Sequence, residues 1–201
     1  MIGSILDRLP GTAHLTLPGH FLFEEFITEP EEAQVVDLVD RLPPAWHNSN
    51  FNGPHRGKAW GVQMDLKRGK VLPAAHELPP LLQTLTERMR ARIPVLRKFD
   101  PTEANAIDYV KAEGHVLRAH VDNRALSTGE IVTLSLQGRA VMTFKAGKEE
   151  VRVPLPRRAL QVLTGNASLR NFKAKQKLDQ ARERVFKEEE SAMRLRHASQ
   201  S

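Results

Sequence analysis

Residues 105–138 read NAIDYVKAEGHVLRAHVDNRALSTGEIVTLSLQG. Apolar and polar residues alternate with a period of two before Gly114, after it, and again past the polar run Asn123 to Gly129. That is the pattern of half-buried strands joined by short turns. The texture continues outward. Strands are predicted over Ala106–Val110, His115–Ala119, Glu130–Leu136, Ala140–Phe144, Glu150–Val153 and Ala159–Leu163. Turns separate them at Gly114, Gly129, Gly138, Gly147 and Pro154-Leu155-Pro156. Several short strands connected this way predict a β-sandwich or jelly roll.

Upstream the period changes. A loosely ordered lead-in over residues 1–18 precedes a short strand, Gly19-His20-Phe21-Leu22-Phe23. Thr28, Pro30 and Glu31 then form a helix start. Thr28 can cap, Pro30 suits the first turn, and Glu31 stands where a capping box needs it. Ala33, Val36, Leu38, Val39 and Leu42 follow at helical spacing, and Pro43-Pro44 end the helix. Residues 45–58 are rich in Asn, Gly and Pro and are predicted as a loop. Trp60 to Met64 is a candidate strand, and Leu78 to Ile93 a second helix. The fold class is therefore α+β and mainly β, with two helices buttressing one face of the sandwich.

Beyond Thr164-Gly165-Asn166 the texture shifts again. Lys173 to Arg196 lacks Gly and Pro and carries Leu178, Ala181 and Val185 as a seam, which predicts a long charged C-terminal helix. Residues 170–201 hold nine Lys or Arg against five Asp or Glu, so most of the net charge of +6 belongs to this tail. The expected division is a lead-in over 1–18, a domain over 19–169 and a charged tail over 170–201.

Composition narrows the function classes. A chain of 201 residues with 40% hydrophobic and 27% charged residues suits one globular domain. The absence of cysteine excludes disulfides, thiolate catalysis and Cys-ligated metals. No apolar run approaches the roughly 20 residues that span a bilayer, and Met1 to Pro10 is too short and too weakly basic for a signal peptide. A cytoplasmic or nuclear location, with no membrane partner, is the expectation.

The sharpest local feature is His120-Val121-Asp122. On an extended segment residues i and i+2 point to the same side, so an imidazole and a carboxylate can approach one cation together. Two His and one carboxylate on one face is the arrangement used for non-haem iron. The same triplet also serves as an ordinary strand-end pair, so spacing alone leaves both roles open. His115 lies five residues from His120, an odd spacing that places the two on opposite faces of a strand. His115 and His20 read as surface or strand-end histidines. Arg152, Arg157 and Arg158 read as a solvated turn or a basic rim.

In order along the chain, Asn105-Ala106-Ile107-Asp108-Tyr109, Glu113-Gly114-His115, Arg118 to Asn123, Val132 to Leu136, Val153 to Leu160 and Val162-Leu163-Thr164-Gly165 resemble the AlkB-like family of Fe(II)- and 2-oxoglutarate-dependent dioxygenases. Phe21 to Phe26, Arg56 to Gly61 and His76 to Pro79 extend the resemblance over residues 21–165. It implies a double-stranded β-helix fold, Fe(2+) with 2-oxoglutarate as co-substrate, and oxidative demethylation of a methylated protein or nucleic-acid substrate. It further implies His120 and Asp122 as iron ligands and Tyr109, with Asn105, as co-substrate contacts. Residues 45–61 would form a substrate lid, with Trp46, Phe51, His55, Arg56 and Trp60 as candidate contacts. Partial burial against the body is the plainer role for any single lid aromatic.

The sequence departs from the family pattern at one place. Relatives carry a third ligand, His, roughly ten residues past the Thr-Gly turn, followed by a strand with two Arg that grip 2-oxoglutarate. Here Asn166 to Ala174 contains no His, the next being His197, and the Arg-rich strand is absent. The alternative expectation is a catalytically inactive interaction protein with a basic helical tail.

Overall fold

A computed structural model describes residues 17–65, 68–120, 127–146, 148–164, 173–178 and 182–191. Seven strands form one sheet in the order β1 (His20–Phe23), β11 (Leu160–Leu163), β8 (Ser127–Leu136), β13 (Arg182–Ser191), β6 (Glu103–Val110), β3 (His55–Gly61) and β2 (His47–Ser49). Four more form a second sheet, β10 (Glu149–Leu155), β9 (Ala140–Ala146), β12 (Lys173–Leu178) and β7 (Leu117–His120). A separate hairpin joins β4 (Gln63–Asp65) to β5 (Lys70–Leu72).

Strand alternation divides the large sheet into two working faces. Ala104 and Ala106 on β6, Val132, Leu134 and Leu136 on β8, and Leu160 and Val162 on β11 pack with helices α1 (Glu29–Arg41) and α2 (Pro80–Arg92). The intervening residues point the other way. Leu22, Ile131 and Leu163 meet Met142, Phe144, Val153 and Leu155 of the small sheet. Each residue of this kind contributes roughly 1.5–3 kcal/mol when fully buried.

The helices are fixed by local chemistry. The Glu31 backbone N–H donates to Thr28 Oγ1 at 3.3 Å, and the Thr28 N–H donates to Glu31 Oε2 at 2.8 Å, completing the capping box. Arg88 of α2 donates to the same Glu31 carboxylate. That bond, reinforced by the Thr28 N–H, lowers the carboxyl to about 2. At the far end of α1, Lys58 of β3 donates to the carbonyls of Val39, Asp40 and Leu42 at 2.7, 3.2 and 2.8 Å. An ammonium there answers the carbonyls a helix C-terminus leaves unpaired.

Three expectations are corrected. The charged stretch from Lys173 is not a helix where it is described. Lys173–Leu178 and Arg182–Ser191 are strands, and β13 pairs with β6 on one side and β8 on the other. A helix there would leave both of those strands with open edges, and pairing across the sheet overrides the local helical preference of a Lys- and Glu-rich segment. The sandwich thus continues past residue 169. The loop over 45–58 contains β2 and the start of β3, because β3 finds partners on β6 and β2 folds back onto β3. His20 is not a surface histidine but is fully buried, since its side of β1 faces the second sheet. Residues 1–16 of the lead-in, and residues 179–181 and 192–196 of the expected tail helix, lie outside the described residues.

Candidate functional site

His120 ends β7, and its Nδ1 lies 2.8 Å from the carbonyl oxygen of Arg118. A carbonyl can only accept, so the ring donates from Nδ1. Histidines that bind metals are held in this way, by a hydrogen bond at the other ring nitrogen. Asp122 lies outside the described residues, as do Asn171 and His197.

Tyr109 is buried on the inward face of β6, packed with Ile107 and with Leu117 of β7. The strand that ends in His120 is therefore laid over the strand that carries Tyr109. The His55 ring tilts against Tyr109 with centroids 5.9 Å apart, and His55 Nδ1 donates to Gly53 O at 2.9 Å. Burial pushes the His55 imidazole below its usual range. Asn105 lies on the same face of β6 as Tyr109, and its Nδ2 donates to Glu103 Oε1 at 2.8 Å.

The lid candidates separate into two groups. Trp60 is buried in the helix-side core and donates from Nε1 to Pro43 O at 2.6 Å. Arg56 is paired with the buried Asp108 directly across the β3–β6 ladder. Both belong to the body of the fold. Trp46 is half-buried, with Nε1 donating to Asp40 Oδ1 at 3.0 Å and the Lys58 ammonium 5.1 Å from its ring centre. It borders an open groove of about 400 Å³ with Pro43 and Lys58. Phe51 is 60% exposed at the tip of the β2–β3 turn. Of the basic-rim candidates, Arg157 is bonded to Glu32, Arg158 to Glu25 and Arg152 to Glu150.

Periodicity did not single out the polar row inside the sandwich. Thr133, Ser135, Gln161 and His20 are all buried there. Ser135 Oγ, Gln161 Oε1 and His20 Nδ1 have no partner among the described residues. Burial holds the His20 imidazole down at about 4. By register, Asn105 lies opposite Lys187, Lys187 opposite Thr133, and Thr133 opposite Gln161. The only signal in the sequence was the alternation of Thr133 and Ser135 with apolar neighbours.

Of the two iron ligands expected from the sequence, His120 is the one among the described residues. Ala174, which cannot ligate, is the residue of β12 directly opposite His120. No three metal-ligating side chains come together among the described residues.

A two-sheet sandwich backed by helices has the architecture of the 2-oxoglutarate and Fe(II) oxygenase jelly-roll fold. Two solved structures share it: that of OsALKBH1, with a TM-score of 0.66 at 11% identity over 89% of this chain and 100% of that one, and a 2OG-Fe(II) oxygenase family oxidoreductase from Burkholderia pseudomallei, with a TM-score of 0.60 at 11% identity over 85% and 84%. In sequence the chain is similar to AlkB-like proteins. It is 28% identical over 183 residues to human alpha-ketoglutarate-dependent dioxygenase alkB homolog 4, covering 75% of this chain and 59% of that protein. It is 29% identical over 157 residues to mouse tRNA (carboxymethyluridine(34)-5-O)-methyltransferase ALKBH8, covering 75% and 23%. The chain thus spans less than two thirds of the length of these relatives. No protein-family model matches it.

Proposed function

We propose that this chain carries an AlkB-type, Fe(II)- and 2-oxoglutarate-dependent dioxygenase site, used for oxidative demethylation of an N-methyl group on a protein or nucleic acid. The observation that supports the reading is the Arg118 carbonyl on His120 Nδ1, a hydrogen bond of the kind that holds metal-binding histidines. Asp122, two residues on, is the second ligand of the proposal.

The 2-oxoglutarate would lie in the sandwich along the row Asn105, Thr133 and Gln161, near Tyr109. Phe51, exposed on the turn beside β7, is the candidate substrate contact. A cytoplasmic or nuclear location suits this reading.

Ala174 supports a second reading, an interaction protein that keeps the fold without turnover. Release of succinate from 2-oxoglutarate in the presence of Fe(II), lost in His120→Ala, supports the enzyme. Folded protein that releases none under the same conditions supports the second reading.

A further inference from the structure

We propose that Gly53 is a positioning residue for His120, and that the turn from Asn50 to His55 joins the substrate side of the site to the metal side. The proposal rests on the assignment of His120 as a metal ligand.

The turn is bonded to β7 and its lead-in at two points. The Arg118 N–H donates to Asn52 O at 2.6 Å, and the Val116 N–H donates to Pro54 O at 3.0 Å. Arg118 then passes the constraint on, because its own carbonyl receives the His120 Nδ1–H at 2.8 Å. Gly53 permits this approach. Its φ is +116°, and a Cβ there would collide with the carbonyl oxygen of Val116. Only glycine combines that backbone conformation with so close a neighbour. The Gly53 carbonyl meanwhile holds His55, whose ring lies against Tyr109. One turn therefore touches the strand of His120 on one side and the neighbour of Tyr109 on the other, with Phe51 exposed two residues from its centre.

A side chain at position 53 pushes the Val116–Arg118 segment away, and the Arg118 carbonyl leaves His120 Nδ1. The imidazole then loses its fixed tautomer. Gly69 provides the control. It too has positive φ, +61°, but a Cβ there meets nothing within 4 Å, so Gly69→Ala strains the backbone without displacing a neighbour.

The test reads the His120 ring nitrogens by long-range proton–nitrogen NMR of metal-free protein. Wild type and Gly69→Ala are expected to hold the Nδ1–H tautomer, and Gly53→Ala to hold a mixture. Titration with Co(II) alone is expected to show affinity reduced about tenfold or more in Gly53→Ala, the scale of a lost outer hydrogen bond. Should Gly53→Ala fail to fold, Asn52→Gly serves, since Asn52 already has φ of +57° and glycine there loosens the turn without a clash. Folded Gly53→Ala, or folded Asn52→Gly in its place, with His120 still wholly Nδ1–H overturns the proposal. Wild type that binds no Co(II) overturns the metal assignment instead, while the tautomer comparison still decides the positioning role.

Discussion

Arg56 and Asp108 face each other directly across the β3–β6 ladder, and the Asp108 carboxylate is wholly buried while Arg56 is one-third exposed. A residue read from sequence as a lid contact is thus half of an ion pair inside the fold. Removing one partner of such a pair takes a countercharge from a buried group, at a cost on the order of 3 kcal/mol. Arg56→Ala is expected to lower the free energy of urea unfolding by that measure. Undiminished stability would return Arg56 to the substrate candidates.

Phe51 is the opposite case. At 60% exposure it contributes little to folding, so Phe51→Ala is expected to change unfolding free energy by no more than about 0.5 kcal/mol. A raised KM for the methylated substrate, with the thermal transition unchanged, assigns it to recognition. A large drop in stability would place it in the body instead.

His20 ties stability to pH. Its ordinary value is 6.5, and burial lowers it to about 4 in the folded chain. Between those values the unfolded chain binds the proton and the folded chain does not, so stability rises with pH across this window. It is complete above about 6.5 and declines toward 4, by about 3 kcal/mol from the size of the shift. Glu31 adds a separate loss as its Arg88-bound carboxylate protonates, from about 4.5 toward 2. His20→Gln is expected to flatten the upper slope and leave the lower one. A variant that keeps the upper slope would assign it to another group.

Much of this fold was legible in local sequence. Thr28 and Glu31 announce α1 because a capping box is complete within four residues, and alternation from Asn105 to Leu163 marks the strands because successive side chains serve opposite faces of a sheet. What escaped was set by distant partners. Lys187 belongs to a strand because Asn105 and Thr133 flank it across the sheet, which no window of charged residues reveals. His20 is buried because β1 pairs with β11 over the small sheet. At the site, His120 stood out through its neighbour Asp122, whereas the Arg118 carbonyl and the Gly53 turn that orient it are backbone features without a sequence signature.

Anaerobic Fe(II) titration of wild type, His120→Ala and Ala174→His tests the central claim, that His120 grasps iron while Ala174 leaves the third position without a protein ligand. The expected result is weak binding in wild type, none in His120→Ala, and affinity at least about a hundredfold higher in Ala174→His, beyond what outer-shell changes produce. Binding that survives the loss of His120, or that is indifferent to a histidine at 174, would contradict it.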